Sequence, residues 1–163
     1  MKRLLVTLVA IALPFTASAS PELASHWGMK ASDLHEMTTG LIGAIDTSGK
    51  VNISHEYEIE IERFAMTASD LALWIDGHNG PSDLGCIFRG MAQEGELQLG
   101  ALDGAGSPSE ARQSLVRLAT MFSDAEIIAI AAMHASDHSL PATGTAEATC
   151  PVSAAAAYHA LVD

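Results

Sequence analysis

The sequence predicts an all-α protein, an antiparallel four-helix bundle with a disulfide-tethered C-terminal tail or a short fifth helix. Four long stretches place apolar residues three or four positions apart, which is the repeat of one helix face. Short clusters of Gly, Pro, Ser, Asp and Asn separate these stretches, and short connections are typical of antiparallel neighbouring helices. One cysteine lies in the third stretch and the other lies near the C-terminus.

We expect residues 1–19 to be a cleaved signal peptide. Lys2 and Arg3 form a basic start, residues 4–13 are apolar apart from one threonine, and residues 17–19 read Ala-Ser-Ala, the pattern that signal peptidase accepts. The apolar stretch is shorter than the ~20 residues that span a bilayer, although an N-terminal membrane anchor is the alternative. The expectation is a periplasmic or secreted protein, with residues 20–163 as a single helical domain and no membrane span after cleavage.

The first and third helices are predicted from their apolar faces and from the breaks around them. The first runs from about Pro21 to Asp46 and ends at the Thr-Ser-Gly cluster of residues 47–49. The third begins at Pro81 or Ser82 and ends near Leu102, and its several glycines either weaken it or permit close helix packing. The predicted core positions are Leu23, Trp27, Leu34, Met37, Leu41 and Ile45 in the first helix, and Leu84, Ile87, Phe88, Met91, Leu97 and Leu99 in the third.

The second stretch is ambiguous at its start. Every odd position from 51 to 61 except His55 is apolar or aromatic, and glutamates alternate with them from residue 56, which is typical of a strand. A longer stripe favours a helix over about residues 55–76, because Ser54 can cap it and glutamates suit the positive end of a helix dipole. The stripe consists of Tyr57, Ile61, Phe64, Ala68, Leu71 and Ile75.

The fourth helix has the clearest start. Ser107 can cap it, Pro108 fits the first helical position, and Glu110 completes a capping box. A break at Ser123-Asp124 is possible within it. Its predicted core stripe is Leu115, Leu118, Phe122, Ile127, Ile130 and Met133. Residues 139–149 are predicted to be an irregular tail segment, followed by a short helix over residues 151–161.

Two cysteines in an exported chain predict one disulfide, between Cys86 and Cys150. A redox-active pair would more typically be Cys-x-x-Cys, and that motif is absent from the sequence. The bridge would fasten the tail to the third helix. By chain entropy, closing a loop of this length stabilises a protein by about 4 kcal/mol.

The charge balance excludes one class of partner. The chain has 20 acidic and 8 basic residues, with a formal net charge of −12. Such a field repels nucleic acid, because binding to nucleic acid depends on neutralising phosphates with Lys or Arg. Cations or basic partners are favoured instead.

His134 and His138 are the candidate metal ligands. Four residues apart on one helix, they share a face and could chelate copper or zinc with a third ligand from another helix. The simpler interpretation involves no metal: a histidine at a helix C-terminus interacts with the helix dipole. Two histidines by themselves make an incomplete site.

No catalytic motif is complete in the sequence. His-Glu occurs at residues 35–36 and 55–56, but neither pair is followed by the second histidine of a zinc protease. The leading hypothesis is therefore an exported, non-enzymatic helical domain that binds a partner protein or a small ligand. The alternatives are a periplasmic metal-handling protein using the histidine pair, and a hydrolase with a non-contiguous site.

Overall fold

A computed structural model describes residues 21–78, residues 80–135 and Cys150. The described residues form four helices: α1 (Pro21–Ser48), α2 (His55–Gly77), α3 (Ser82–Asp103) and α4 (Pro108–Ala135). Each helix packs against the next along the chain, and α4 packs back against α1, so that the four helices close a square. The predicted four-helix bundle is confirmed.

Contacts at both ends of the bundle show that α1 and α4 are antiparallel. Gly28 near the start of α1 meets Ala129 near the end of α4, whereas Asp46 near the end of α1 pairs with Arg112 at the start of α4. The loops between consecutive helices are only a few residues long. A short loop between two packed helices requires the second helix to run antiparallel to the first.

The helix ends follow the local sequence signals. Gly49 adopts φ +65°, and its N–H donates to the carbonyl of Ile45, which is the left-handed glycine that commonly ends a helix. The hydroxyl of Ser54 accepts the N–H of Tyr57 at the start of α2. Residues 55–61 are therefore helical, and the strand alternative for this segment is wrong.

Ser107 caps α4 as predicted, and Glu110 returns its hydrogen bond to the residue before the cap. The Ser107 hydroxyl accepts the N–H of Glu110, and the carboxylate of Glu110 accepts the N–H of Gly106. From Pro108 the helix continues to Ala135 without a break. The possible interruption at Ser123-Asp124 does not occur.

One aromatic side chain from each helix meets in the centre of the bundle. Trp27 stacks on Phe64 with ring centroids 4.7 Å apart, and its edge contacts Phe88 at 5.1 Å. Phe64 in turn meets Phe122 at 5.0 Å, nearly perpendicular. These contacts join α1 to α3 and α2 to α4 across both diagonals of the square. The aromatic cluster of Trp27, Phe64, Phe88 and Phe122 therefore holds all four helices at one level.

All six predicted core residues of α2 are buried, so that prediction is confirmed. The core prediction is wrong for four residues of the other helices. Met37, Leu97, Ile127 and Ile130 are exposed. In α1 the adjacent Thr38 occupies the core, because Tyr57 supplies its hydroxyl with a buried hydrogen-bond partner. In α3 the buried stripe passes through Gly95 and Gln98 on either side of Leu97. In the C-terminal part of α4, after Phe122, the buried stripe consists of Ala125, Ala129 and Ala132.

The predicted disulfide is confirmed. Cys86 in α3 and Cys150 are joined, with their Cα atoms 5.7 Å apart. The predicted signal peptide, the irregular segment 139–149 and the short C-terminal helix lie outside the described residues. None of the four helices has both the length and the hydropathy that crossing a membrane requires.

Candidate functional site

The C-terminal half of α4 is apolar on two opposite faces. Its inner face is a row of alanines (residues 125, 129 and 132), all of them buried. On the outer face, Ile127 is 67% exposed and Ile130 is 53% exposed. A surface helix of a soluble bundle normally has polar residues on its outer face. The two isoleucines therefore need an explanation other than core packing.

The alanine row lets α1 approach α4 closely. A Cβ atom built on Gly28 would lie 2.7 Å from the Cβ of Ala129, which is closer than real Cβ atoms approach. Only glycine fits at this point of α1. Met29 follows Gly28 in the sequence and Ile130 follows Ala129. Both side chains are exposed. The close contact thus brings exposed apolar residues of two helices to one side of the bundle.

This side of the bundle has an uncharged centre and an acidic border. We define the α1/α4 face as the exposed residues Met29, Ser32, Ser123, Ile127, Ile130 and Ala131. The segment 118–135 contains no lysine or arginine, and its acidic residues are Asp124 and Glu126. On α1, Asp33 and Glu36 lie next to the same face. An apolar centre with a polar rim is the usual anatomy of a protein–protein interface.

An open groove continues the α1/α4 face toward the other end of the bundle. Its lining residues on α1 are His35 and Ile42, and those on α4 run from Val116 to Asp124. The Nδ1 atom of His35 lies 3.9 Å from a carboxylate oxygen of Glu126, across the boundary between the helices. The groove is shallow and open, which suits a protein surface better than a small molecule.

Exposed apolar residues on α2 lie in different surroundings. Leu73 is 69% exposed, and Met66, seven residues before it, is also exposed. Charged residues surround them along the helix, at Glu62, Arg63 and Asp70. Single exposed apolar side chains among charges are ordinary. Leu73 is therefore a matched control for the isoleucines of α4.

A second groove, between α1 and α2, already has its charges paired. Lys30 and Arg63 both bind the carboxylate of Glu60, at 2.7 and 2.6 Å. The hydrogen bond from Lys30 is the main reason that the pKa of Glu60 lies below its usual value. At the groove floor, Trp27 is buried and donates its indole N–H to the carbonyl of Phe64, at 3.1 Å. Trp27 is thus a core residue.

Two buried polar clusters hold helices together. The Thr38 hydroxyl donates to the Leu34 carbonyl at 2.5 Å, so it accepts the hydrogen bond from the Tyr57 hydroxyl at 2.7 Å. On the other side of the bundle, the carboxylate of Glu94 accepts hydrogen bonds from Gln98 at 2.9 Å and from Arg117 at 2.8 Å. Hydrogen bonds between buried polar groups of this kind favour one packing arrangement.

Tyr57 makes the stability of the fold sensitive to alkaline pH. Burial raises the pKa of Tyr57 to about 12 from 10.0, although the hydrogen bond with Thr38 acts in the opposite direction. The folded state favours the neutral phenol, so its contribution is complete below pH 10 and is lost as the pH rises through 12. Two pKa units correspond to about 2–3 kcal/mol. We expect the free energy of unfolding to fall by this amount between pH 9 and pH 12.

Urea unfolding across that pH range tests this expectation, with Tyr57→Phe as the control. The phenylalanine variant should lose the Tyr57-dependent part of the pH dependence. If wild-type protein and the variant show the same alkaline slope, then Tyr57 is not its source.

The predicted metal ligands are only partly within the described chain. His134 is exposed in the last turn of α4, and His138 lies outside the described residues. Where the structure describes the chain, no group of three or more His, Cys, Asp or Glu side chains could hold a metal ion. Copper or zinc binding by the histidine pair stays a prediction.

The chain matches no known protein-family model, and no curated protein and no solved structure is significantly similar to it. Its functional interpretation therefore depends on its own residues. The α1/α4 face was missed by sequence reasoning, which placed Ile127 and Ile130 in the core. The available signal was the alanine row of α4, whose spacing of four and three residues marks a helix face as well as the isoleucines do.

Proposed function

We propose that this chain is an exported, non-enzymatic helical domain that binds a partner protein through the α1/α4 face. The observation that carries the proposal is the exposure of Ile127 and Ile130 on a face without charged residues at its centre. Burying an exposed isoleucine contributes about 1.5–3 kcal/mol. Two such residues near the centre of an interface are enough to act as binding hot spots.

The charges around the face favour a partner with a basic rim. Asp33, Glu36, Asp124 and Glu126 border the apolar centre, and the whole chain has a formal net charge of −12. Complementary potentials raise the rate of association and disfavour partners of like charge. A second copy of this chain would bring two acidic rims together. We therefore favour a different protein that has an apolar patch bordered by Lys or Arg.

Site-specific photo-crosslinking tests the proposal. A photoreactive amino acid replaces Ile130 in one variant and Leu73 in another, and each purified protein is mixed with the extracytoplasmic fraction of its source cells. We expect one saturable adduct from position 130 and none from position 73. The substitution Ile127→Glu, introduced beside the crosslinker, should weaken the adduct at least 100-fold, because it places an unpaired charge in the interface. Leu73→Glu should leave the adduct unchanged.

The crosslinking outcome distinguishes the possible occupants. A basic protein identified in the adduct, with an affinity that falls as salt is added, supports the proposal. A self-adduct would replace the partner by a second copy of the chain. Equal labelling from positions 130 and 73, or an adduct insensitive to Ile127→Glu, would refute the α1/α4 face as the binding site.

Export is part of the same proposal and has its own measurement. The mass of the protein recovered from outside the cytoplasm should correspond to a chain that begins at Ser20. It should also lack two hydrogens relative to the reduced form, as the Cys86–Cys150 disulfide requires. A full-length mass, or a protein confined to the cytoplasm, would contradict export without affecting the crosslinking result.

A further inference from the structure

The Cys86–Cys150 disulfide lies beside the guanidinium group of Arg89. The Nη2 atom of Arg89 is 3.6 Å from the sulfur of Cys86 and 3.3 Å from the sulfur of Cys150. Its Nη1 atom is bound to the carboxylate of Asp76 at 2.5 Å. Asp76 therefore holds Arg89 by one nitrogen and leaves the other nitrogen directed at both sulfurs.

Gly85 makes room for this arrangement. A Cβ atom at residue 85 would lie 2.6 Å from the Oδ1 atom of Asp76, so a larger residue would displace the carboxylate that holds Arg89. The Asp76 and Arg89 side chains are both partly buried, with 32% and 28% exposed. In such a setting an N–H donor interacts with a sulfur anion more strongly than it would in bulk water.

The two cysteines differ in exposure. Cys86 in α3 is 6% exposed, whereas Cys150 is partly exposed. An external thiolate can therefore reach Cys150 more easily than Cys86. Attack at Cys150 makes Cys86 the leaving group, and a leaving thiol departs faster when its anion is stabilised.

We propose that Cys86–Cys150 is an exchangeable disulfide that reacts with an external dithiol, and that Arg89 is the positioning residue that stabilises the departing Cys86 thiolate. One thiolate of the dithiol bonds to the Cys150 sulfur, the Cys86–Cys150 bond breaks, and its electron pair stays on the Cys86 sulfur. The second thiolate of the dithiol then displaces Cys150. The dithiol is oxidised to a disulfide, and the protein gains two electrons and two thiols.

Reduction would detach residue 150 from α3 without dismantling the bundle. Among the residues that the structure describes, the buried hydrophobic core consists of residues between Ala24 and Ala132. The bond thus acts as a covalent attachment that thiol chemistry can release. This inference is independent of the α1/α4 face, since Cys86 and Arg89 lie on α3.

Reduction of the folded protein by dithiothreitol tests the proposal. The fraction of reduced protein is followed by thiol alkylation and mass spectrometry for wild type, Arg89→Gln, Arg89→Lys and Arg112→Gln. We expect Arg89→Gln to slow reduction about tenfold. At the point where half of the protein is reduced, this variant should also need about a tenfold higher ratio of reduced to oxidised dithiothreitol. Arg89→Lys should recover part of the difference. Arg112→Gln removes another ion-paired arginine, away from the disulfide, and should match wild type.

Two further measurements keep the outcome decisive. Glutathione, used as the attacking thiol, should be found on Cys150 with Cys86 alkylated, and glutathione on Cys86 would overturn the assigned direction of attack. Far-ultraviolet circular dichroism should show an intact bundle in the reduced protein and in each variant. If Arg89→Gln and wild type differ by less than twofold, or if reduction occurs only when urea unfolds the bundle, the proposal is wrong.

Discussion

Phe64→Ala is expected to lower the free energy of unfolding by about 3–5 kcal/mol, the usual cost of deleting a buried aromatic ring. Phe64 is buried and contacts Trp27 of α1 and Phe122 of α4. Its removal leaves a cavity where all four helices meet. Since domains of this size are stable by only ~5–15 kcal/mol, this single change removes a large part of the total.

Urea unfolding followed by circular dichroism measures this loss. A slope of about 2 kcal/mol per molar urea converts the loss into a midpoint shift of roughly 2 M. Met66→Ala, two residues away on the exposed side of α2, is the matched control and should stay within about 0.5 kcal/mol of wild type. A loss below 1 kcal/mol for Phe64→Ala would mean that the aromatic cluster does not organise the bundle.

Gly28→Leu is the second large change, and it should destabilise the protein by about 2–3 kcal/mol. Leucine favours a helix more than glycine does, so propensity alone predicts a gain of up to ~1 kcal/mol. At residue 28 the new side chain would meet the Cβ of Ala129 at 2.7 Å. Both atoms are fixed to helix backbones, so α1 and α4 must separate, and overpacking of this kind outweighs the gain in propensity.

Gly43→Leu supplies the control, because a Cβ atom at residue 43 meets nothing within 4 Å. The same substitution there should stabilise the protein by about 0.5–1 kcal/mol. The double variant Gly28→Ala/Ala129→Gly exchanges the two residues of the contact. It should recover the part of the stability that Gly28→Ala by itself loses through the steric clash. Equal effects of leucine at residues 28 and 43 would refute the close contact between α1 and α4.

The Gly28 variant also connects the fold to the proposed function. Met29 and Ile130 lie next to the Gly28–Ala129 contact and belong to the α1/α4 face. A wider spacing between α1 and α4 would move these two side chains apart. Partner binding should therefore weaken in a folded Gly28→Ala protein, whereas Gly43→Ala should bind as wild type does.

The helices themselves were predictable because their signals are local. The Ser54 cap, the left-handed Gly49 and the capping box of Ser107 and Glu110 each involve residues a few positions apart. The apolar stripe of α2 was predicted correctly at every position because large side chains follow one face for the whole helix. The disulfide was predictable from an even cysteine count and the expectation of export.

The candidate site was not predictable in the same way. Hydrophobicity ranks Ile127 and Ile130 above the alanines of α4, so a sequence pattern places the isoleucines inside. The close approach of α1 at Gly28 decides otherwise, because a Cβ atom there would already lie 2.7 Å from the Cβ of Ala129. Arg89 shares a helix face with Cys86, but the carboxylate that orients it comes from Asp76, on another helix.

The sequence by itself determined four helices, the residues at which they begin, most of the core of α2 and the pairing of the two cysteines. Each of these depends on neighbours along the chain or on a residue count. The tertiary structure decided which face of α4 is buried, that Met37 and Leu97 are exposed, and that Arg89 lies against the disulfide. These features depend on the distance between helices, which is set by side-chain size at contacts between residues far apart in the sequence.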